Sequence, residues 1–233
     1  MKRRLVAVSV VGLLSLGAAI LAIPAGSAAT APNVTCQPGQ TLSGVYNNVL
    51  VPGTDNGANY CSIQGATING TLTVQPGGAV VIGSGSTVHA ITSNSAGTGT
   101  GDPLGLFATY NFSVIMCNST VTSTMTINGS QSAVLIGDSD AGCGGNTLNG
   151  ASNTLNDNHG GVEVDSNTVN GNLSVNDTTG HVAAVLDADS PPETTDVSNN
   201  SDSTHSLTCA GNAPTVVSSG NTFASYPGGQ CGP

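Results

Sequence analysis

The sequence has almost no basic residues. Lys2, Arg3 and Arg4 are the only three, and they precede the first apolar run, whereas 13 Asp and Glu give a formal net charge of -10 at pH 7. A chain without cations beyond its start cannot neutralise phosphates, so we expect no nucleic-acid partner and no anionic lipid partner. Its stability has to come from apolar burial, backbone hydrogen bonds and cross-links rather than from Lys or Arg ion pairs.

Aromatic residues and helical periodicity are also scarce. The sequence contains no Trp, 3 Phe and 4 Tyr, which excludes a wide core built on large rings. From Thr30 onward, no apolar stripe at helical spacing continues for three turns, which excludes an amphipathic helix. We therefore expect an all-β chain with a thin interior.

The segment 1–29 has the pattern of a secretory signal peptide. A basic start is followed by the apolar run 5–23 and by the small residues Ser27-Ala28-Ala29. A membrane anchor is the alternative, because the apolar run is nearly long enough to span a bilayer. The small residues and the polar sequence from Thr30 onward favour cleavage. We expect a secreted, extracellular chain of residues 30–233 that has no membrane contact after processing.

Short segments with alternating apolar residues recur along the chain. They are ATINGTLTV (66–74), STVHAITSN (86–94), STVTSTMTI (119–127), NTLNGASNTL (146–155) and NTVNGNLSV (167–175). Each contains a Thr at the equivalent place: Thr67, Thr87, Thr120, Thr147 and Thr168. The interval between these Thr residues is irregular, with a minimum of about 20 positions, which is within the range of repeat architectures. Alternation with a period of two predicts strands, with Val, Ile and Leu inward and Thr, Asn and Ser outward in water.

A strand unit repeated at this interval cannot bury its apolar face alone, so neighbouring units must stack. This stacking predicts a single-stranded, right-handed parallel β-helix, in which Gly forms the corners between sheets. The alternative is a β-sandwich, whose sequence typically shows turn residues about every 8–12 positions but no long-range repeat.

The six cysteines all follow the signal peptide, and their even number predicts three disulfides in an oxidising compartment. They are Cys36, Cys61, Cys117, Cys143, Cys209 and Cys231. The cysteines of each sequential pair are separated by a similar number of residues, slightly more than one coil of the β-helix contains. Residues one coil apart lie about 4.8 Å apart, within the range of a disulfide. We expect pairs 36–61, 117–143 and 209–231, although spacing alone leaves other pairings open.

Both ends of the chain resemble a known family. The segments CQPGQTLSGVYNNVLVPG (36–53) and LTCAGNAPTVVSSGNTFASYPGGQC (207–231), with the Thr-Val-x-Gly-Asn-Leu repeat at 168–173, are similar to small secreted actinobacterial proteins of uncharacterised function. That family is interpreted as right-handed β-helices. The resemblance implies fold and compartment but supplies no catalytic residues.

The resemblance also implies a domain organisation. Cysteine-stapled caps are expected at 36–61 and 207–233, with the coils of a single domain over 62–206. Segments near 97–112 and 181–200 depart from the family pattern and resemble insertions. Cys117 and Cys143 are additional to the family plan.

Two carboxylates are weak candidates for catalysis. In a strand, Asp187 and Asp189 would lie on one face about 6.5–7 Å apart, a separation compatible with glycoside hydrolysis by paired carboxylates. They stand in an apparent insertion, and the basic residue that would bind an acidic sugar is missing. A lyase would need a base such as His89, His159, His181 or His205. We expect the acidic residues to be dispersed on the surface and the chain not to be an enzyme.

Two acidic segments are weak candidates for calcium. Asp138 and Asp140 begin like an Asp-rich loop, but Gly142 stands where a third oxygen ligand is needed. The segment NDNHGGVEVD offers further candidate ligands, Asp157, His159, Glu163 and Asp165. Solubilising surface charge is the alternative for both segments, and we expect no cofactor.

Two further groups of residues suggest binding surfaces. Phe107, Tyr110 and Phe112 cluster in one apparent insertion. If exposed, they could stack on sugar rings, but we expect them to be buried and to anchor the insertion against the body of the β-helix. Outward Thr at 71 and 73 and at 122, 124 and 126 resembles the ice-binding faces of solenoids. We expect such ladders on only two coils, too few for a lattice.

The sequence therefore favours a secreted, non-enzymatic β-helix with a structural, surface-associated or ligand-binding role. Extracellular polysaccharide or cell-wall contact is left open as its partner, and the oligomeric state is not predicted. The alternative is a carbohydrate-active enzyme, a polysaccharide hydrolase or lyase, that uses Asp residues on the β-helix.

Overall fold

The computed structural model describes residues 30–53, 59–83, 85–105, 109–181 and 195–232. The expected signal peptide and the pair Asp187 and Asp189 lie outside these ranges. Within them the chain forms strands and turns but no helix. Consequently, the described residues include no helix that is long and apolar enough to cross a membrane.

Nineteen strands follow one another along the described chain. They are β1 Val34–Thr35, β2 Thr41–Tyr46, β3 Val49–Val51, β4 Cys61–Val74, β5 Val80–Gly83, β6 Thr87–Asn94, β7 Gly99–Gly101, β8 Tyr110–Met116, β9 Thr120–Val121, β10 Met125–Asn128, β11 Ala133–Ile136, β12 Thr147–Leu148, β13 Ser152–Asn156, β14 Val162–Asp165, β15 Thr168–Val169, β16 Asn172–Asn176, β17 Thr195–Ser198, β18 Leu207–Ala210 and β19 Val217–Ser219.

The strands pair in three parallel stacks along the helix axis. The first stack runs from the start of β4 through β5, β8, β11, β14 and β17 to β19. The second contains the middle of β4, the start of β6, then β9, β12 and β15. The third contains β3, the ends of β4 and β6, then β10, β13, β16 and β18. This parallel pairing confirms the β-helix and excludes the β-sandwich.

The register confirms the alignment of the sequence repeats. The Thr residues at 67, 87, 120, 147 and 168 are Cα partners from coil to coil. The next coils continue their column with Ser201 and Thr222. At the corner between the second and third stacks, a Cβ at Gly171 would lie 1.9 Å from the Gly150 carbonyl oxygen, so this turn requires Gly.

Inward side chains form aliphatic columns along the helix axis. One column of the first stack consists of Ile63, Ile82, Met116, Ile136, Val164 and Val197, all fully buried. Polar side chains interrupt such columns in few places. Asn153, for example, takes the place between Met125 and Leu173 in the third stack.

A ladder of buried asparagines corrects the expectation that Asn faces water. Asn146, Asn167 and Asn200 are at most 2% exposed, and with Asn221 they stand one residue before the Thr column of the second stack. The side-chain oxygen of each asparagine accepts a hydrogen bond from a backbone N–H on the preceding coil. Its side-chain NH2 group donates one hydrogen bond to a backbone carbonyl. In Asn146, Asn167 and Asn200 the same NH2 group also donates to the side-chain oxygen of the next asparagine in the ladder. The ladder satisfies backbone groups that the corner would otherwise leave buried and unpaired.

The three predicted disulfides are confirmed. Cys36 pairs with Cys61, Cys117 with Cys143 and Cys209 with Cys231, at Cα separations of 5.7, 4.8 and 5.3 Å. They indicate an oxidising, extracellular environment.

The described parts of the apparent insertion near 97–112 lie over the outside of the first stack. Its strand β7 pairs antiparallel with the first residues of β8. We call its described parts, 97–105 and 109–112, the flap. Outward Val81, Ile115 and Leu135 are buried in one apolar cluster with Tyr110 and Phe112 of the flap. The flap therefore gives the molecule a second, external apolar core.

The expected insertion near 181–200 lies largely outside the described residues. At its end, residues 195–198 form β17, a regular strand of the first stack.

Candidate functional sites

The first stack carries a group of acidic side chains beyond the edge of the flap. The outward column that contains Val81, Ile115 and Leu135 continues with Glu163 and then Asp196. Asp165 lies two residues after Glu163 on the same face of β14, and Asp138 follows β11 on the preceding coil. We call Asp138, Glu163, Asp165 and Asp196 the acidic cluster.

Hydrogen bonds hold the acidic cluster in place. Asp165 accepts from the Ser139 backbone N–H and hydroxyl at 3.2 Å and from the Asn199 amide at 2.9 Å. Asp196 accepts from the hydroxyl of Ser198. Asp138 accepts the backbone N–H groups of Asp140 and Ala141, both at 2.9 Å. These carboxylates therefore organise loops and turns of three successive coils.

Burial changes the acidity of the groups around this cluster. Asp138 is 2% exposed, and desolvation raises the pKa of its carboxyl. Backbone N–H donors and the Glu163 carboxyl oppose this shift, and the charge of Asp165 adds to it. Burial likewise raises the pKa of the Tyr110 hydroxyl in the flap, and nearby Asp102 and Asp138 raise it further. The flap and the acidic cluster are thus electrostatic neighbours.

The acidic cluster contradicts the expectation that the carboxylates are dispersed. Carboxylates from the coils of β11, β14 and β17 converge on one face. The sequence identifies Asp138, Glu163 and Asp165 as calcium candidates but does not predict their convergence with Asp196, because a long stretch of chain, including an apparent insertion, separates Glu163 from its Cα partner Asp196. The available signal was the position of Glu163 and Asp165 on either side of the inward Val164.

The calcium candidates occupy different environments. Asp140 is exposed whereas Asp138 is buried. Asp157 and His159 lie in an exposed turn before β14, with 3.9 Å between His159 Nε2 and Asp157 Oδ1. Across the described ranges, no group of three or more His, Cys, Asp or Glu is arranged to hold a metal ion.

The four histidines that could serve as a base lie on different coils. His89 contacts the Thr122 hydroxyl and His159 that of Thr179, and His181 follows β16. His205 Nδ1 lies 2.7 Å from Asp202 Oδ2. Burial alone would raise the pKa of Asp202, but hydrogen bonds from Thr204 and His205 hold it below its ordinary value. Asp202 also accepts the N–H of Gly171, so this pair organises the corner.

The aromatic residues of the flap have the anchoring role that we expected. Tyr110 and Phe112 are 4% and 0% exposed, with ring centroids 5.9 Å apart, and Tyr60 packs edge-on against Phe112 at 5.0 Å. Phe107 lies outside the described residues. Tyr110 and Phe112 are therefore unavailable for stacking on sugars.

The third stack presents a different kind of surface. Its central outward column consists of hydroxyl residues on six successive coils: Thr73, Thr92, Thr126, Thr154, Ser174 and Thr208. We call the outward surface of the third stack the hydroxyl face. Rows of alternating Thr are expected on two coils only, and the structure adds to them this column of single hydroxyl residues, which crosses six coils because the strands bring equivalent places of the recurrent segments into register.

Columns on both sides widen the hydroxyl face. One flank contains Ser152 and its Cα partner Asn172, and the other contains Asn94, Asn128, Asn156 and Asn176. The residues of the central column are half-buried. Among the described residues, the only side-chain hydrogen bond of this column joins Thr154 to Ser152 at 3.5 Å. The other hydroxyls are open to an external partner.

Charge is segregated between the two surfaces. Six of the described carboxylates lie in the flap, in the acidic cluster or in the turn after β11: Asp102, Asp138, Asp140, Glu163, Asp165 and Asp196. In the part of the chain that the structure describes, the outward columns of the hydroxyl face contain no charged residue. The side of the flap and the acidic cluster therefore carries most of the described charge, whereas Asp157 and Asp177 stand exposed in the turns directly after β13 and β16.

Comparisons with protein-family models, with curated proteins and with solved structures find no match for this chain. Its function therefore has to be argued from its own residues.

Proposed function

We propose that the protein is a secreted, non-enzymatic β-helix that acts as a surface-associated binding module. The hydroxyl face is its contact surface. The observation that carries this proposal is the uncharged central column, which runs in register over six coils from Thr73 to Thr208. A repeating array of this kind fits an extended, repeating partner better than a single small ligand.

The width of the third stack favours it over the second stack as the contact surface. The second stack also has an outward Thr column, but β9, β12 and β15 are only two residues long. Strands β13 and β16 have five residues each. Because alternate residues point outward, the third stack presents up to three columns and the second stack one.

Export of the protein is part of the same proposal. The basic and apolar start of the sequence supports a signal peptide, and three disulfides stapled across neighbouring coils support an oxidising destination. Such a rigid module keeps its surface ordered outside the cell, where extracellular polysaccharide and the cell wall are within reach.

A pelleting experiment tests this function. The secreted chain is mixed with cellulose, chitin, isolated cell walls or finely divided ice, and the bound fraction is measured. A double variant, Thr126→Tyr with Thr154→Tyr, places two rings in the middle of the hydroxyl face. The matched control, Thr120→Tyr with Thr147→Tyr, changes the second stack on the same two coils. We expect binding to at least one surface that only the first variant loses. Failure to bind any of them would refute the proposal.

Polysaccharide hydrolysis is a second candidate function, because carboxylates of three coils converge in the acidic cluster. Paired carboxylates are the usual groups for this reaction. Against it, Asp138, Glu163 and Asp165 are 2%, 6% and 7% exposed, so a substrate has little access to them. Reducing-end assays on pectin, alginate, xylan and peptidoglycan test this candidate. Turnover that is lost in Glu163→Gln but retained in Asp140→Asn would establish hydrolysis instead of binding alone.

A further inference from the structure

We propose that the partner of the hydroxyl face is the surface of ice. This inference rests on the proposed function of the hydroxyl face and names its occupant. Three properties of the face carry it: its two-dimensional repeat, the neutral hydroxyl and methyl groups of its central column, and the absence of aromatic platforms from its described columns.

The hydroxyl face repeats in two directions. Parallel strands place equivalent residues about 4.8 Å apart along the helix axis, and alternate residues of one strand about 6.6 Å apart across it. The pairings of β6, β10, β13, β16 and β18 show no register shift on this face. A polymer chain repeats in one direction only, whereas a crystal surface repeats in both. The regular register therefore favours a crystalline partner.

The chemistry of the central column suits a lattice of water molecules. Each Thr presents a hydroxyl that donates and accepts hydrogen bonds beside a methyl group that displaces liquid water. Neighbouring hydroxyls in the column are too far apart to bond to one another at a strand spacing of about 4.8 Å. A partner with a similar spacing can occupy the sites between them. A charged side chain would instead hold its own hydration shell, and the described columns contain none.

The placement of the aromatic residues argues against a sugar polymer on this face. Sugar rings commonly stack on exposed aromatic rings, whose flat apolar faces they match. Tyr60, Tyr110 and Phe112 pack around the flap, whereas Phe223 and Tyr226 pack together at the C-terminal end. Tyr46 lies on β2, outside the third stack. The hydroxyl face therefore lacks the groups that a neutral polysaccharide would need.

Ice growth assays on the secreted chain test this inference. The protein is held in slowly growing ice, and its incorporation, the thermal hysteresis and the inhibition of ice recrystallisation are measured. We expect all three effects in the native chain. The variant Thr126→Tyr with Thr154→Tyr should lose about tenfold in activity, the cost expected for disrupting the centre of a contact surface. The control Thr120→Tyr with Thr147→Tyr should retain activity, and circular dichroism should show that both variants stay folded.

Each other outcome overturns a definite part of the argument. Pelleting with cellulose, chitin or cell walls without any effect on ice would refute the inference about ice and leave the proposed binding function standing. Equal loss in both variants would show that the third stack is not the specific contact surface. Absence of binding to every tested surface would refute both the inference and the proposed function.

Discussion

At the scale of single residues, burial rather than charge pairing decides how the acidic side chains behave. Asp138 illustrates this point. Its carboxyl is buried beside Glu163 and Asp165, and no cationic side chain contributes to the shift of its pKa. In the folded protein its ionised form is therefore disfavoured. The folded chain consequently binds a proton at Asp138 more tightly than the unfolded chain does.

Replacing Asp138 by Asn should stabilise the protein at neutral pH. The raised pKa means that the contribution of Asp138 to stability is fully present below about pH 4, the ordinary value for Asp. That contribution is lost as the pH rises through the raised folded-state pKa. Asn retains an oxygen that can accept the N–H groups of Asp140 and Ala141. We expect a higher melting temperature than native at pH 7 and a difference that shrinks toward pH 4. The exposed change Asp140→Asn serves as a control, and an advantage that grows on acidification would contradict the reasoning.

At the scale of elements, the ladders of polar side chains at the corners link one coil to the next. A second ladder runs along the corner after the third stack, through Asn158, Thr178 and Asn212. Thr178 interrupts this ladder, because its buried hydroxyl has no hydrogen-bond partner among the described residues. The backbone N–H and side-chain amide of Asn158 thereby lack the acceptor that an asparagine at 178 would provide.

Replacing Thr178 by Asn should therefore complete the second ladder. By analogy with Asn158 and Asn212, the new side chain would accept from Asn158 and donate to the Leu155 carbonyl. We expect the free energy of unfolding to rise by about 1 kcal/mol, the net value of a buried hydrogen bond. Urea unfolding measures the change. The same substitution at exposed Thr168 should alter stability by less than about 0.5 kcal/mol. A destabilised Thr178→Asn would show that the corner has no room for the longer side chain.

The strands were easier to predict than the ladders for a physical reason. Alternating Val, Leu and Ile residues report burial directly, and the recurrent Thr marked the register of the second stack. In the ladder of the second stack, each buried asparagine stands just before that register, as in Asn146-Thr147 and Asn167-Thr168, but the composition of these segments alone suggests surface turns. The flap and the acidic cluster depend on which segments lie over the first stack. Local periodicity carries no information about that packing.

At the scale of the whole molecule, the described chain combines nine carboxylates with no Lys or Arg. Contacts of histidines with neighbouring Asp residues, such as those of His159 and His205, are local, whereas carboxylates on different coils repel one another. The repulsion is concentrated on the side of the flap and the acidic cluster. Aliphatic columns, ladders and disulfides hold the coils together against it.

Salt should therefore stabilise this protein at neutral pH. Raising NaCl from about 0.01 to 0.1 M shortens the Debye length from about 30 to 10 Å, which screens repulsion between carboxylates on neighbouring coils. The expanded unfolded chain has less repulsion to relieve, so the folded state gains more from screening. We expect the melting temperature to rise by about 2 °C, which corresponds to on the order of 0.5–1 kcal/mol for a domain of this size. KCl should give the same shift, because screening depends on ionic strength rather than on the cation. A melting temperature that fell with salt would mean that attractive ion pairs, rather than apolar and hydrogen-bonded contacts between coils, hold the molecule together.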